Sequence, residues 1–225
     1  ARRGAEVVAA DRDAEAARLT AELAGRAGGT VHAHAVDVSD AAAMEDFAKS
    51  VMHEHGVPDV VVNNAETEMA GSFLDHSAED WRTVLNVNLL GVVHGSRLFA
   101  AQMAERGQGG HIVNTSSAAA FTPSRGLAAY STSKAAALML SECLRAELKG
   151  KGIAVSAVVR PSGPRGGARE AAGGPAGGRP DAVAERIVAA VRRGKAVVPV
   201  TPGVRLARAA ARVSPGLMRL LARMG

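Results

Sequence analysis

Five short apolar runs, each closing on polar side chains, constrain this chain most: Glu6–Asp11, Val31–Val38, Pro58–Ala65, His111–Ser117 and Ile153–Val159. Helical patterns fill the intervals, over 13–27, 41–55, 77–106 and 127–149. Buried strands that alternate with helices predict a parallel sheet with helices on its faces. A hydrophobic fraction of 47% with only 3% aromatic builds the core from Ala, Val, Leu and Ile. The length of 225 residues suits one domain with a sizeable core and is too short for two comfortable ones.

The run at His111–Ser117 ends in hydroxyls, which places Ser117 at the carboxyl edge of the sheet, where α/β proteins bind ligands. Thirteen residues on comes Tyr130, and one helical turn later Lys134. An i, i+4 pair shares one helix face, so the ammonium favours the phenolate and draws the tyrosine pKa down from about 10. A tyrosine tuned in this way serves as a general acid and base.

Ser117, Tyr130 and Lys134 together resemble the catalytic set of the short-chain dehydrogenases/reductases, and the resemblance covers residues 1 to 161. It implies a doubly wound, Rossmann-like parallel sheet in a single domain, spanning 1–201, and a hydride passed between a nicotinamide cofactor and an alcohol or ketone. Tyr130 would exchange the proton, Lys134 would hold the nicotinamide ribose and assist the tyrosine, and Ser117 would bind the reacting oxygen. Asn88, in Leu85–Gly91, matches the fourth catalytic position, holding a water behind Lys134. Asp11 matches the acid that binds the adenosine ribose and favours NAD, although Arg12 beside it could greet the extra phosphate of NADP; a plain helix-capping Asp11 is the alternative. Asp37 and Val38 match the pair at the adenine ring, or else form a polar strand end that caps the following helix. Asn64 and Ala65 belong to the Asn-Asn-Ala-Gly signature, and Pro161 to the Pro-Gly turn beside the nicotinamide.

Three departures from the family pattern stand out. Glu66 replaces the glycine of the signature and would weaken cofactor binding, and Ser162 replaces the glycine of the turn. No counterpart of the first strand and its glycine-rich turn lies in the first sixty residues, so a preceding strand is expected in the natural polypeptide. Ala1–Ala5 reads as a helix end. These departures leave room for a rival role as an interaction or regulatory module that binds cofactor poorly. A membrane-surface adaptor led by the tail is a second rival.

The net charge of +5 is uneven: residues 1–160 carry 15 basic and 19 acidic side chains, whereas 161–225 carry 12 and 3. No basic stripe with stacking aromatics crosses the domain, which argues against a nucleic-acid partner. Residues 162–180 are rich in Gly, Ala, Pro and Arg and read as a mobile substrate loop; 202–225 form a basic amphipathic tail, packed on its own domain or dimer mate, or touching a membrane peripherally. No continuous apolar run reaches about 18 residues, so a cytoplasmic protein is the default expectation. Cys143 stands alone and excludes an internal disulfide. The seven histidines lack metal-ligand spacing, so no metal is expected. Small apolar residues at Ala118–Ala120 and Leu127–Ala129 suggest a lipophilic or bulky substrate. The family resemblance also implies a homodimer or homotetramer.

Overall fold

The computed structural model describes residues 1, 3–161 and 180–213. The expected loop at 162–180, Ser162 and the tail beyond 213 therefore lie wholly or almost wholly outside the described residues. β1 (Val7–Asp11) pairs with β2 (Val31–Ala35), and β3 (Val60–Asn63), β4 (Gly110–Ser117), β5 (Ile153–Arg160) and β6 (Val197–Pro199) form a second sheet in that order. Every pairing is parallel. Parallel neighbours need a crossover, and helices supply each one: α1 (Ala14–Arg26), α2 (Ala41–His55), α3 (Ala78–Leu85) continued by α4 (Gly91–Arg106), α5 (Ala128–Leu148) and α6 (Pro180–Arg193). α7 (Pro202–Val213) follows β6. This is the helix-covered parallel sheet that the apolar runs predict, although it is divided in two. Val8 of β1 and Val61 of β3 pack on one cluster, Ala48, Val51 and Phe99, which joins the parts through side chains.

Local chemistry starts the helices where the sequence suggests. Asp13 accepts the N–H groups of Glu15 and Ala16 at 3.0 and 3.1 Å, and Asp40 does the same for Ala42 and Ala43. Each aspartate satisfies donors that the first turn leaves unpaired. Ser77 and Asp80 form a reciprocal capping box. At the opening, Gly4 N–H donates to the Ala1 carbonyl at 2.8 Å, with Gly4 at φ +84°, a conformation that glycine adopts readily.

The segment 77–106, read as one regular helix, contains a π-turn at Asn86–Leu90. One extra residue in that turn shifts the phase of the helix, and Asn88 falls inside it, fully buried. Residues Ala78–Arg106 are long and apolar enough to cross a bilayer by length and composition, yet they pack on β3, β4 and α5 as a core helix.

α4 lies close on the strand ends because Gly91 and Gly95 carry no side chain. A Cβ at Gly95 would sit 2.2 Å from Asn63 Oδ1, and one at Gly91 would sit 2.7 Å from Val38 Cγ2. Gly95→Ala is expected to lower unfolding free energy by about 1–3 kcal/mol through overpacking. Gly25→Ala, where a Cβ meets nothing within 4 Å, should instead raise it by about 0.5–1 kcal/mol. Urea unfolding of both variants reads the contrast.

Candidate active site

The carboxyl ends of β3, β4 and β5 meet the first two turns of α5. Ser117 closes β4 and stands in register with Arg160, which closes β5. Small buried residues on α5, Ala129, Ser133 and Ala137, let the helix seat closely on β4 and β5. Ser116 Oγ donates to the Lys134 carbonyl at 2.9 Å and fixes the helix against the strand. Ser117, Tyr130 and Lys134 are all buried, at 1%, 6% and 1% exposure. The expected trio is therefore gathered on adjoining elements of one sheet edge. Lys134 Nζ lies 5.6 Å from the centre of the Tyr130 ring and 3.5 Å from the Thr115 carbonyl oxygen.

Lys134 forms an ion pair with Glu66, the residue that departs from the family signature. Nζ is 2.7 Å from Glu66 Oε2, while Arg160 Nη2 is 3.0 Å from Glu66 Oε1. The three side chains are 1%, 5% and 14% exposed, so one carboxylate bridges two cations with little water around them. Arg160 was not singled out from the sequence. It lies 94 residues from Glu66, and only the pairing of β4 with both β3 and β5 brings the two together.

Asn88 is fully buried, and its amide bonds to protein groups on two sides. Its Oδ1 accepts the Thr67 N–H at 2.8 Å, and its Nδ2 donates to the Thr67 carbonyl at 2.8 Å and to Ser133 Oγ at 3.0 Å. Both amide hydrogens are spent, which pins the backbone next to Glu66. A further ladder joins α4 to α5. Asn63 donates to Asn114 Oδ1 at 2.8 Å and to Ser96 Oγ at 3.1 Å, and Asn114 donates to Ser141 Oγ at 3.0 Å. Polar residues in otherwise apolar runs, Asn114 and Ser141, were the only sequence signal of it.

Asn64 and Ala65 top β3, exposed, with Asn64 Oδ1 3.4 Å from Thr115 Oγ1 and 3.5 Å from Arg160 Nη1. Pro161 directly follows β5, half-buried. Asp11 closes β1, exposed, and its Oδ1 accepts the Asp13 N–H at 3.0 Å. It thus serves the turn into α1 without capping the helix, which Asp13 does. Beyond β2, Asp37 Oδ1 accepts both the hydroxyl and the N–H of Ser39, at 2.7 and 2.9 Å. Those two bonds, with Arg12 nearby, hold the Asp37 carboxyl below its usual pKa. The cap of α2 is Asp40 rather than Asp37. Arg12 and Asp37 line one open depression with Ala35 and Val36, while Val38 packs on Gly91 and accepts a bond from His94 Nδ1 at 3.0 Å. His111 is a buried β4 residue 2.8 Å from Ser156 Oγ.

A parallel α/β sheet with Ser, Tyr and Lys at its carboxyl edge defines a class, and comparison with known proteins gives the same one. Residues 1–163 match the family described as short chain dehydrogenase. The chain belongs to that family. It is 44% identical over 246 aligned residues to the "Probable oxidoreductase EphD" of Mycobacterium tuberculosis, covering 100% of this chain and 41% of that protein. It is 38% identical to the 1-deoxy-11-beta-hydroxypentalenate dehydrogenase of Streptomyces exfoliatus, over 69% of this chain and 58% of that one. The chain thus spans between about two fifths and three fifths of the length of these curated relatives. Among solved structures, a short-chain dehydrogenase/reductase from Burkholderia phymatum in complex with NAD shares 26% identity with a TM-score of 0.81, covering 96% of this chain and 86% of that one. A metagenomic short-chain oxidoreductase in complex with NADP shares 35% identity with a TM-score of 0.68, over 72% and 73% of the two chains.

Removing one partner of a buried ion cluster leaves uncompensated charge and costs about 3–5 kcal/mol. Glu66→Gln, which leaves Lys134 and Arg160 as neighbouring cations, should destabilise the cofactor-free protein by that order in guanidinium unfolding.

Proposed function

We propose that this chain is the catalytic module of a nicotinamide-dependent oxidoreductase that interconverts an alcohol and a carbonyl, with Tyr130 as proton donor and acceptor. The observation that carries the reading is the buried gathering of Ser117, Tyr130 and Lys134 at the carboxyl edge of β4 and the start of α5. Family membership and the oxidoreductase named among its relatives support it.

The residues present fit a dinucleotide at its adenosine end, where Asp11 and Asp37 offer carboxylates beside the open depression at Arg12. At the other end, the fit requires the Glu66 carboxylate to release Lys134. When bound, the nicotinamide supplies or accepts the hydride. Ser117 then donates its hydroxyl hydrogen to the reacting oxygen, and Tyr130 passes the proton. Lys134 favours the phenolate and, if freed from Glu66, would be the residue to hold the ribose. Asn88 holds Thr67, and through it the position of Glu66, rather than touching the reacting atoms.

The substrate is proposed to be lipophilic. The Gly71 N–H bonds the Gly126 carbonyl at 2.9 Å and draws two loops together; one carries Phe73 and Leu74, both exposed, and the other leads to the buried Ala129. Exposed apolar side chains on a loop tied to the segment leading into α5 suit a ligand with an apolar part. Self-association through the α4 and α5 faces, where Met139 is exposed, is part of the same proposal.

Two sets of variants test this reading. Tyr130→Phe should leave folding and cofactor affinity near wild type while removing turnover on any accepted alcohol, and Lys134→Ala should weaken cofactor binding as well. Retained turnover in Tyr130→Phe would refute the assignment. For the cofactor, a 2′-phosphate about 4 Å from Asp11 meets repulsion of about 4 kcal/mol at an effective dielectric near 20, before salt and Arg12 reduce it. Calorimetric titration should therefore find NAD preferred over NADP. Asp11→Ala should narrow or reverse the preference, and Glu66→Gly should tighten NAD.

A further inference from the structure

Glu6, His32 and His55 meet at the amino-terminal end of β1 and β2, far along these strands from Asp11. Glu6 directly precedes β1, His32 is the second residue of β2, and His55 is the last of α2. Their spacing in sequence has no ligand pattern, yet β1–β2 pairing sets Val8 against His32 and the packing of α2 brings His55 over them. Glu6 Oε1 lies 2.9 Å from His32 Nε2 and 3.0 Å from His55 Nδ1, and the two imidazole centres are 4.3 Å apart.

Hydrogen bonding accounts for only part of this arrangement. His55 Nδ1 and Glu6 Oε1 form a hydrogen bond. His32 Nε2 is shut off from solvent and makes no hydrogen bond, despite its short distance to the same oxygen. The other nitrogen of His55, Nε2, is equally enclosed and unbonded, with Glu54 Oε2 at 3.8 Å. A shielded imidazole nitrogen without a hydrogen bond beside a carboxylate, as His32 Nε2 is, is costly unless something else uses its lone pair.

We propose that Glu6, His32 and His55 form a divalent transition-metal site, with zinc the best-suited ion. The three ligand atoms lie within 4.8 Å of one another. Tetrahedral zinc with bonds of about 2.0–2.1 Å places its ligands about 3.3 Å apart, so the two separations from Glu6 Oε1, 2.9 and 3.0 Å, need to open by only a few tenths of an ångström. Two imidazoles and one carboxylate suit zinc better than calcium or magnesium, which take oxygen donors. Three protein ligands leave a fourth position for water. Glu54 Oε2 stands 3.8 Å behind His55 Nε2; closing to hydrogen-bond distance on metal binding, it would accept that ring N–H and fix the tautomer presenting Nδ1 to the ion. His34 is near enough to offer an alternative donor with Glu54 and His55, but it competes for the same ring. The site joins both strands of the smaller sheet to α2. A two-stranded sheet is marginal by itself, so the ion acts as a clamp on that part of the fold.

The test uses the full chain, stripped with a chelator and titrated with zinc chloride by calorimetry and with cobalt chloride by visible absorption. One zinc per chain, tetrahedral cobalt bands and a melting temperature that rises with zinc and falls back with chelator are expected. Glu6→Gln, His32→Ala and His55→Ala should each abolish tight binding, Glu54→Gln should weaken it by about 10–100-fold, and the exposed His53→Ala should leave it unchanged. If a histidine variant does not fold, Glu6→Gln decides. Failure of the unaltered chain to bind zinc, or binding that survives Glu6→Gln or is lost in His53→Ala, would overturn the site. The readout is independent of Tyr130 and of turnover, so it stands or falls apart from the proposed reaction.

Discussion

The contact between Lys134 and Glu66 decides how the rest of the sheet edge is arranged. Charged groups removed from water need close partners, and here a single carboxylate serves a lysine from α5 and an arginine from β5. Its own position depends on the Asn88 amide, which accepts the Thr67 N–H and donates to the Thr67 carbonyl. Asn88 in turn reaches Thr67 and Ser133 together because the π-turn sets it between β3 and α5. Loss of the Glu66 carboxylate would leave the Lys134 and Arg160 charges as close neighbours with little water around them.

Much of this was legible from residue types and spacing. Tyr130 and Lys134 share a helix face by local geometry alone, and Ser117 needed only a strand that ends in hydroxyls. Glu66 was visible as a departure from a signature, since a glycine there has a stated purpose. Its partners were not visible. Arg160 joins it through strand order, which no local pattern encodes, and the ammonium of Lys134 was expected to face the tyrosine and a ribose rather than a carboxylate.

The π-turn was hidden for a different reason. A single extra residue leaves the helical periodicity on each side intact, so 77–106 reads as one helix even though its two halves are out of phase. The meeting of His32 and His55 was hidden because ligand rules look for short spacings, while these residues belong to a strand and to the far end of the next helix. Asp37 shows the opposite case: a contact to the adenine ring and a polar strand end capping the next helix were both open readings, and Asp40, directly before the first turn, takes the cap.

The division of the sheet into two parts has a thermodynamic side. Asp11 and Asp37 belong to the smaller part, while Ser117, Tyr130 and Lys134 belong to the larger, and side-chain packing around Phe99 joins the two. A dinucleotide laid across both would be a non-covalent cross-link between halves that share no backbone ladder among the described residues. Its binding free energy would then be spent partly on holding the halves in register. Saturation at about 100 times the dissociation constant adds about 2.7 kcal/mol to the folded state, and in this architecture that increment would fall on the seam between the two sheets.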